Sequence, residues 1–212
     1  MSAKTIYIVR HGQTDFNKRN IVQGSGIDSD LNTMGLLQAE SFFDYYKDEG
    51  FDIVYTSGLK RAIQSVAPFI ANGLQHKIHL GLNEINWGIL EGQESTPFQR
   101  KMFDEIMKQW RLGNLNTAVE NGETPIQLLA RQQQSLDDIL QSESQRILIS
   151  SHGRALRSFM CLLTGEPQQN MHLFPHTNLG LYVLEQVEER RFEIVLKNNT
   201  DHLAEALITS YY

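Results

Sequence analysis

Cys161 is the single cysteine among 212 residues, so no intrachain disulfide can form. A chain of this length buries roughly 70% of the surface that its unfolded form exposes and needs no such staple. Five prolines and 15 glycines are too few for a collagen-like, low-complexity or strongly disordered chain. Basic residues are also in deficit, with 19 Lys+Arg against 25 Asp+Glu and a net charge of −6. That balance argues against a nucleic acid or an anionic membrane as partner, since both call for an excess of Lys/Arg on one face. Long apolar runs are missing too. The first run, Ile6-Tyr7-Ile8-Val9, is too short for a secretory signal or a membrane span, and the expected setting is cytoplasmic. Cys161 itself lies in Phe159-Met160-Cys161-Leu162-Leu163 with nothing electropositive beside it, and reads as a buried, inert thiol.

What is present alternates between short β-branched runs and longer segments of helical period. Ile6–Val9, Ile53–Thr56 and Ile147–Ser150 are continuous apolar runs of the kind that strands of a parallel sheet need. Leu36, Ala39, Phe43 and Tyr46 fall at helical spacing, as do Leu156, Phe159, Met160 and Leu163. Thr96-Pro97 and Thr124-Pro125 each read as an N-cap followed by Pro at the first helical position, and Gly165-Glu166-Pro167 reads as a helix stop. Two late strands, about Leu179–Leu184 and Phe192–Leu196, flank the charged stretch from Glu185 to Arg191 and suggest a hairpin. There is no internal repeat and no Gly/Pro/Ser-rich linker. The expected fold is α/β, a three-layer sandwich with a mostly parallel central sheet flanked by helices, as one domain over 1–212. A homo-oligomer is compatible with the sequence, which carries no signal for or against one.

In open α/β sheets ligands bind beyond the carboxyl ends of the strands. Arg10-His11-Gly12 follows the first strand, Ser57-Gly58-Leu59-Lys60-Arg61 the second and Ser151-His152-Gly153 the third. A parallel sheet would bring two His and two Arg to one edge, although His11 and His152 are 152 − 11 = 141 residues apart. A lone His or Arg at a strand end is usually structural; four at equivalent strand ends suit a dianionic phosphate. Guanidinium forks bind its oxygens bidentately and imidazole donates or attacks, while the glycine after each His offers bare backbone. Metal binding is the competing chemistry. His172 and His176 stand at i, i+4, yet Pro175 lies between them, there is no HExxH pattern and no carboxylate holds a matching ligand position, so no metal site is expected. His76, His79 and His202 carry no pattern and are expected at the surface or in an interface.

Four segments together carry a resemblance. Arg10-His11-Gly12-Gln13-Thr14-Asp15-Phe16-Asn17 fits R-H-G-x-T-x-x-N, and Ser57-Gly58-Leu59-Lys60-Arg61-Ala62 fits S-x-L-x-R-A. Leu82-Asn83-Glu84 with Gly88-Ile89-Leu90-Glu91-Gly92 fits L-x-E-x-x-x-G-x-x-E-G, and Ser151-His152-Gly153 completes the set. In this order and spacing the chain resembles the histidine phosphatase superfamily, the phosphoglycerate mutase-like clan, from about residue 5 to His202. The resemblance implies that His11 is the nucleophile and forms a transient phosphohistidine. It implies that Arg10, Arg61, Asn17 and His152 bind the transferring phosphoryl group, with Gln23, Gly24 and Gly153 completing the phosphate-binding surface. Glu84 would give a proton to the leaving oxygen. Two Arg and a protonated His152 would neutralise the equatorial oxygens, so no metal and no cofactor are expected.

Departures from the pattern are Asp30, where the family commonly has Pro, and Ser65, where Thr is frequent. The segment 93–122, with Phe98, Met102, Ile106 and Trp110 at helical spacing, is expected as a substrate-facing helical and loop insertion, with a plain core helix as the competing reading. It is short, and its Trp110-Arg111-Leu112-Gly113 and Glu120–Thr124 stretches look like the phosphatase branch. The mutases usually carry a longer cover that excludes water. The expected partner is therefore a small phosphorylated substrate for hydrolysis. Mutase-type phosphoryl transfer and a non-catalytic phospholigand-binding domain are the alternatives.

Overall fold

In the computed structural model, which describes residues 3–94 and 96–209, the three continuous runs become strands of one sheet. The ends of the expected 1–212 domain (Met1, Ser2 and residues 210–212) and Ser95 of the 93–122 segment lie outside the described residues. The strands are β1 (Thr5–Arg10), β2 (Ile53–Thr56), β3 (Gln75–Ile78), β4 (Arg146–Ser151), β5 (Leu181–Glu188) and β6 (Arg191–Asn199). They lie in the order β3-β2-β4-β1-β5-β6. The first four are parallel, and β5 and β6 are antiparallel to their neighbours. The late hairpin is as expected, but its strands run through most of the charged stretch and leave a turn at Glu189 and Arg190. Gln75-His76-Lys77-Ile78 gave no strand signal, because an edge strand with mostly exposed side chains needs no apolar pattern.

Alternate side chains of the central strands feed two separate cores. Ile6, Ile8, Ile53, Tyr55, Ile147 and Ile149 face one side; Tyr7, Val9, Val54 and Leu148 face the other. This is the burial on both faces that a parallel sheet requires. The helices are α1 (Asp15–Lys18), α2 (Thr33–Tyr46), α3 (Lys60–Ser65), α4 (Ala67–Ala71), α5 (Pro97–Arg111), α6 (Pro125–Gln141) and α7 (Gly153–Thr164). Residues of α2 and α4 pack on the second side, and those of α5, α6 and α7 on the first. Thr96 and Thr124 cap α5 and α6 with full capping boxes, and Gly165 ends α7 in the left-handed region, φ 74°. The periodic face read for α2 is displaced. Leu36 is exposed, and the buried stripe runs through Gly35, Gln38, Ala39, Phe42 and Tyr46. His202, expected at the surface or in an interface, is buried within the fold against Phe42, Tyr45 and Tyr46, with Nε2 2.9 Å from the Leu179 carbonyl. Among the described residues no helix is long and apolar enough to cross a membrane.

α2 meets the loop after β1 backbone to backbone. A Cβ on Gly35 would stand 2.2 Å from the Gln13 carbonyl oxygen, and one on Gly12 would stand 2.8 Å from that of Gly35. The glycine after His11 thus serves packing rather than bare backbone toward a ligand. Gly35→Ala should destabilise the protein by about 1–3 kcal/mol, as overpacking against unyielding backbone does. Urea unfolding measures it, and a midpoint within error of the parent contradicts the contact.

Candidate active site

Parallel pairing of β1 and β4 in register, Arg10 opposite Ser151, puts His11 and His152 side by side. The His11 amide donates to the Ser151 carbonyl at 2.9 Å, and the two rings lie 5.2 Å apart. β2 flanks β4 on its other side with Thr56 opposite Ser150. From there the chain leads to Arg61 in the first turn of α3.

The His11 ring is held by one bond, Nδ1 to the Gly12 carbonyl at 2.7 Å. A carbonyl only accepts, so Nδ1 carries the hydrogen and Nε2 of the neutral ring keeps its lone pair. Burial, with the positive charges of Arg61 and Arg10, holds His11 well below the usual histidine range, so the ring is neutral at pH 7. Gly12 is braced in turn: its amide donates at 2.8 Å to Ser65 Oγ, which donates to the Arg61 carbonyl. The hydroxyl at 65 does this work whether Ser or Thr supplies it.

Arg61 is fully buried. Its guanidinium donates to the Ile27 carbonyl and, at 3.2 Å, to that of Gly24. Burial, opposed by Glu84 and Asp28, brings it down to about 10, so it stays charged at neutral pH. Arg10 donates to the His176 carbonyl at 3.2 Å. The loop with the unusual Asp30 is pinned to α3, since Asp28 accepts from the Lys60 amide at 2.7 Å and Asp30 from Gln64 at 2.8 Å. His152 departs from expectation. Its Nε2 lies 2.7 Å from Ser57 Oγ, and Nδ1 has no partner among the described residues. Burial, Arg61 and His11 hold it well below the usual range. In the free pocket it is neutral rather than the protonated group expected, because the ring is buried and positive charge already stands beside it.

Glu84 is buried, not a solvated loop carboxylate. Oε1 accepts from the amides of Ile85 (2.9 Å) and Ala155 (2.8 Å), and Oε2 from that of Arg154 (3.1 Å). It thereby satisfies amides at the start of α7, whose N-cap residue His152 makes no side-chain cap. The Glu84 loop is itself clamped by Arg131, which donates to the carbonyls of Gly81 (2.8 Å), Asn83 (2.9 Å) and Glu84 (3.1 Å) and pairs with Glu123 at 2.7 Å.

One pocket, about 160 Å³ in volume, is lined by Arg10, His11, Asn17, Gln23, Glu84 and Gly153, among others. Asn17 Oδ1 accepts from the Thr14 amide at 3.2 Å, which leaves its NH2 group for the pocket. Gln23 is engaged at both ends, by Thr14 and Ser29, and so braces the loop. Gly24 lies outside the lining; its carbonyl holds Arg61, and a Cβ there would fall 1.8 Å from Glu91 Oε1. Arg61 and His152 stand behind the lining, against His11. His172 is exposed while His176 is buried at the pocket, so the spaced pair does not share a face. Arg154, Arg157 and Phe103 also line the pocket and were not singled out from sequence; Trp87 and His176 line it too, the latter weighed from sequence only as half of a metal-binding pair. The one signal for the arginines is their i, i+3 spacing directly after Ser151-His152-Gly153, a spacing that solvated helix faces share. From 93–122 the lining takes Phe103; Ile106, Met107 and Trp110 are core and Phe98 is exposed.

The family model described as Histidine phosphatase superfamily (branch 1) matches residues 6–200. A relative named "Putative phosphoserine phosphatase 2", from Hydrogenobacter thermophilus, is 28% identical over 94% of this chain and 97% of its own length. A 2,3-bisphosphoglycerate-dependent phosphoglycerate mutase from Bartonella tribocorum is 31% identical over 76% of this chain and 82% of its own. Among solved structures, one titled mycobacterial hydrolase 2 superposes with a TM-score of 0.84 at 20% identity, covering 98% of this chain and 95% of that one, a likeness of fold.

His11, His152, His176 and His202 all lie below the usual histidine range, His202 at about 4. The unfolded chain takes up these protons near pH 6.5 while the folded chain does not. Their contribution to stability is therefore complete above about pH 6.5 and is lost as the pH falls, by up to about 1.4 kcal/mol per group per pH unit. Urea unfolding between pH 7.5 and 5 should show stability dropping with the uptake of several protons; a flat profile contradicts the neutral cluster.

Proposed function

The chain belongs to the histidine phosphatase superfamily, and on that premise we propose that it is a metal-independent phosphomonoesterase acting on a small phosphorylated metabolite in the cytoplasm. The carrying observation is the neutral His11 imidazole, fixed through Nδ1 by Gly12 and set against two buried guanidiniums. In this reading Nε2 of His11 attacks phosphorus in line, the ester P–O bond breaks, and the leaving alkoxide takes a proton from Glu84 in its acid form. Arg10 and the Asn17 amide hold the equatorial oxygens as their charge is redistributed, and Arg61 and His152, behind the lining against His11, add a positive charge and a donor from beneath. Water then attacks the phosphohistidine, Glu84 takes its proton back, and inorganic phosphate and neutral His11 remain. Hydrolysis is favoured over transfer because the 93–122 segment offers the pocket Phe103 and little else as cover.

Turnover of p-nitrophenyl phosphate should be abolished by His11→Ala, and acid quench should trap an acid-labile, alkali-stable phosphoryl group on His11. Equal rates for parent and variant between pH 5 and 8 favour a non-catalytic binding domain. Supplied with 3-phosphoglycerate and a bisphosphoglycerate primer, the enzyme should accumulate inorganic phosphate; isomer instead means a mutase. Glu84→Gln should slow alkyl esters by about 10²–10⁴ and p-nitrophenyl phosphate far less, since nitrophenolate leaves without a proton.

Arg131 is not itself part of the pocket lining and acts by positioning Glu84, whose carbonyl it holds at 3.1 Å. Arg131→Lys should lower kcat for alkyl esters about tenfold with KM nearly unchanged. A parallel fall for alkyl and nitrophenyl esters would mark general structural damage instead.

A further inference from the structure

The pocket has a second charged wall that the proposed chemistry does not use. Arg154 and Arg157, three residues apart and so on one side of α7, line it together with His176. Among the described residues neither guanidinium has a hydrogen-bond acceptor or an ion-pair partner. His176 is 6% exposed, and both of its ring nitrogens lack partners. A buried imidazole with nothing to bind, at the surface of a cavity, lacks the partner that buried polar groups ordinarily have. These groups also repel one another. Burial, with Arg157 and Arg111 nearby, brings Arg154 down to about 9, and burial, Arg157 and Arg10 keep His176 well below the usual range. Glu84 is the carboxylate that opposes this charge, and its oxygens are taken by backbone amides.

We propose that Arg154, Arg157 and His176 form a second anion subsite, and that the substrate is a short phosphorylated carboxylic acid whose carboxylate they hold. This rests on the phosphomonoesterase reading for the other end of the molecule. The Arg154 guanidinium lies over Trp87 and Trp110, 5.9 and 5.6 Å from their centroids. A guanidinium anchored beside two indole rings keeps its planar fork of donors, which matches a planar carboxylate. Neutral His176 adds one N–H donor and one acceptor, the latter suited to a hydroxyl beside the carboxylate. Trp87 and Phe103 give an apolar wall for the carbon skeleton. Arg157 stands four residues, about one helical turn or on the order of 5 Å, beyond Gly153 at the phosphate end. That step and the cavity of about 160 Å³ limit the skeleton to a few carbons.

The test compares 3-phosphoglycerate with glycerol 3-phosphate, which differ by a carboxylate in place of a hydroxymethyl group. The wild-type enzyme should prefer the acid in kcat/KM by tenfold or more, the range of charge-assisted bonds, and Arg154→Gln and Arg157→Gln should each shrink that ratio several-fold. Equal turnover by wild type, or a ratio that survives both substitutions, overturns the subsite. Calorimetric binding of the two esters to His11→Ala needs no turnover and should show the same preference, lost on adding Arg154→Gln. If wild type hydrolyses aryl phosphate but neither binding nor kcat/KM favours the acid, the subsite alone fails. If no phosphate ester is hydrolysed, the phosphomonoesterase reading fails while binding still decides the subsite.

Discussion

Positive charge buried beneath the strand ends is the constraint around which the site is built. Arg61 is wholly enclosed with no carboxylate in ion-pair contact among the described residues, and its guanidinium rests on backbone carbonyls of the 24–27 loop. A buried cation without a counter-ion is costly, and the surrounding structure is arranged to tolerate it. The loop that supplies those carbonyls is closed by Glu91, which accepts from the Trp87 and Gly26 amides. Burial, joined by the same charge, keeps His11 and His152 neutral, which preserves a lone pair on one ring and a free nitrogen on the other. In the proposed reaction, a dianion entering the pocket would supply the missing countercharge. The positive focus lies in a chain whose net charge is −6, so it is local rather than part of a generally basic surface.

Glu84 shows how little of such a site is separable into structure and chemistry. Its carboxylate holds the first turn of α7, its backbone carbonyl is held by Arg131, and Arg131 is held by Glu123 at the foot of α6. Three segments distant in sequence thus fix one buried carboxylate. The turn it caps also carries Gly153 and Arg154 into the pocket, and the next turn brings Arg157.

The parts read most easily from sequence are those whose physics is local. Continuous β-branched runs, Thr-Pro caps and the Gly165 stop each depend on a few neighbouring residues, and each stands where its pattern puts it. The strand-end His and Arg residues follow from one further step, parallel pairing. What escaped depends on tertiary partners. β3 is polar because it lies at an edge, and Leu36 is exposed because the close approach of Gly35 to Gln13 sets the rotation of α2. Gly24 is required by Glu91, 67 residues away, rather than by a ligand. Arg154 and Arg157 carry no pattern that separates a pocket from a solvated face, and His202 is enclosed by a helix more than 150 residues earlier.

The position of β4 has a consequence for how the molecule comes into being. β1 and β2 do not pair with each other; β4 lies between them and binds both. Until residues 146–151 leave the ribosome, the two earlier strands have no common neighbour, and each offers open backbone to whatever is near. The last parallel strand made is the keystone, and the residue directly after it, His152, arrives beside His11 in the same act that joins the halves of the sheet.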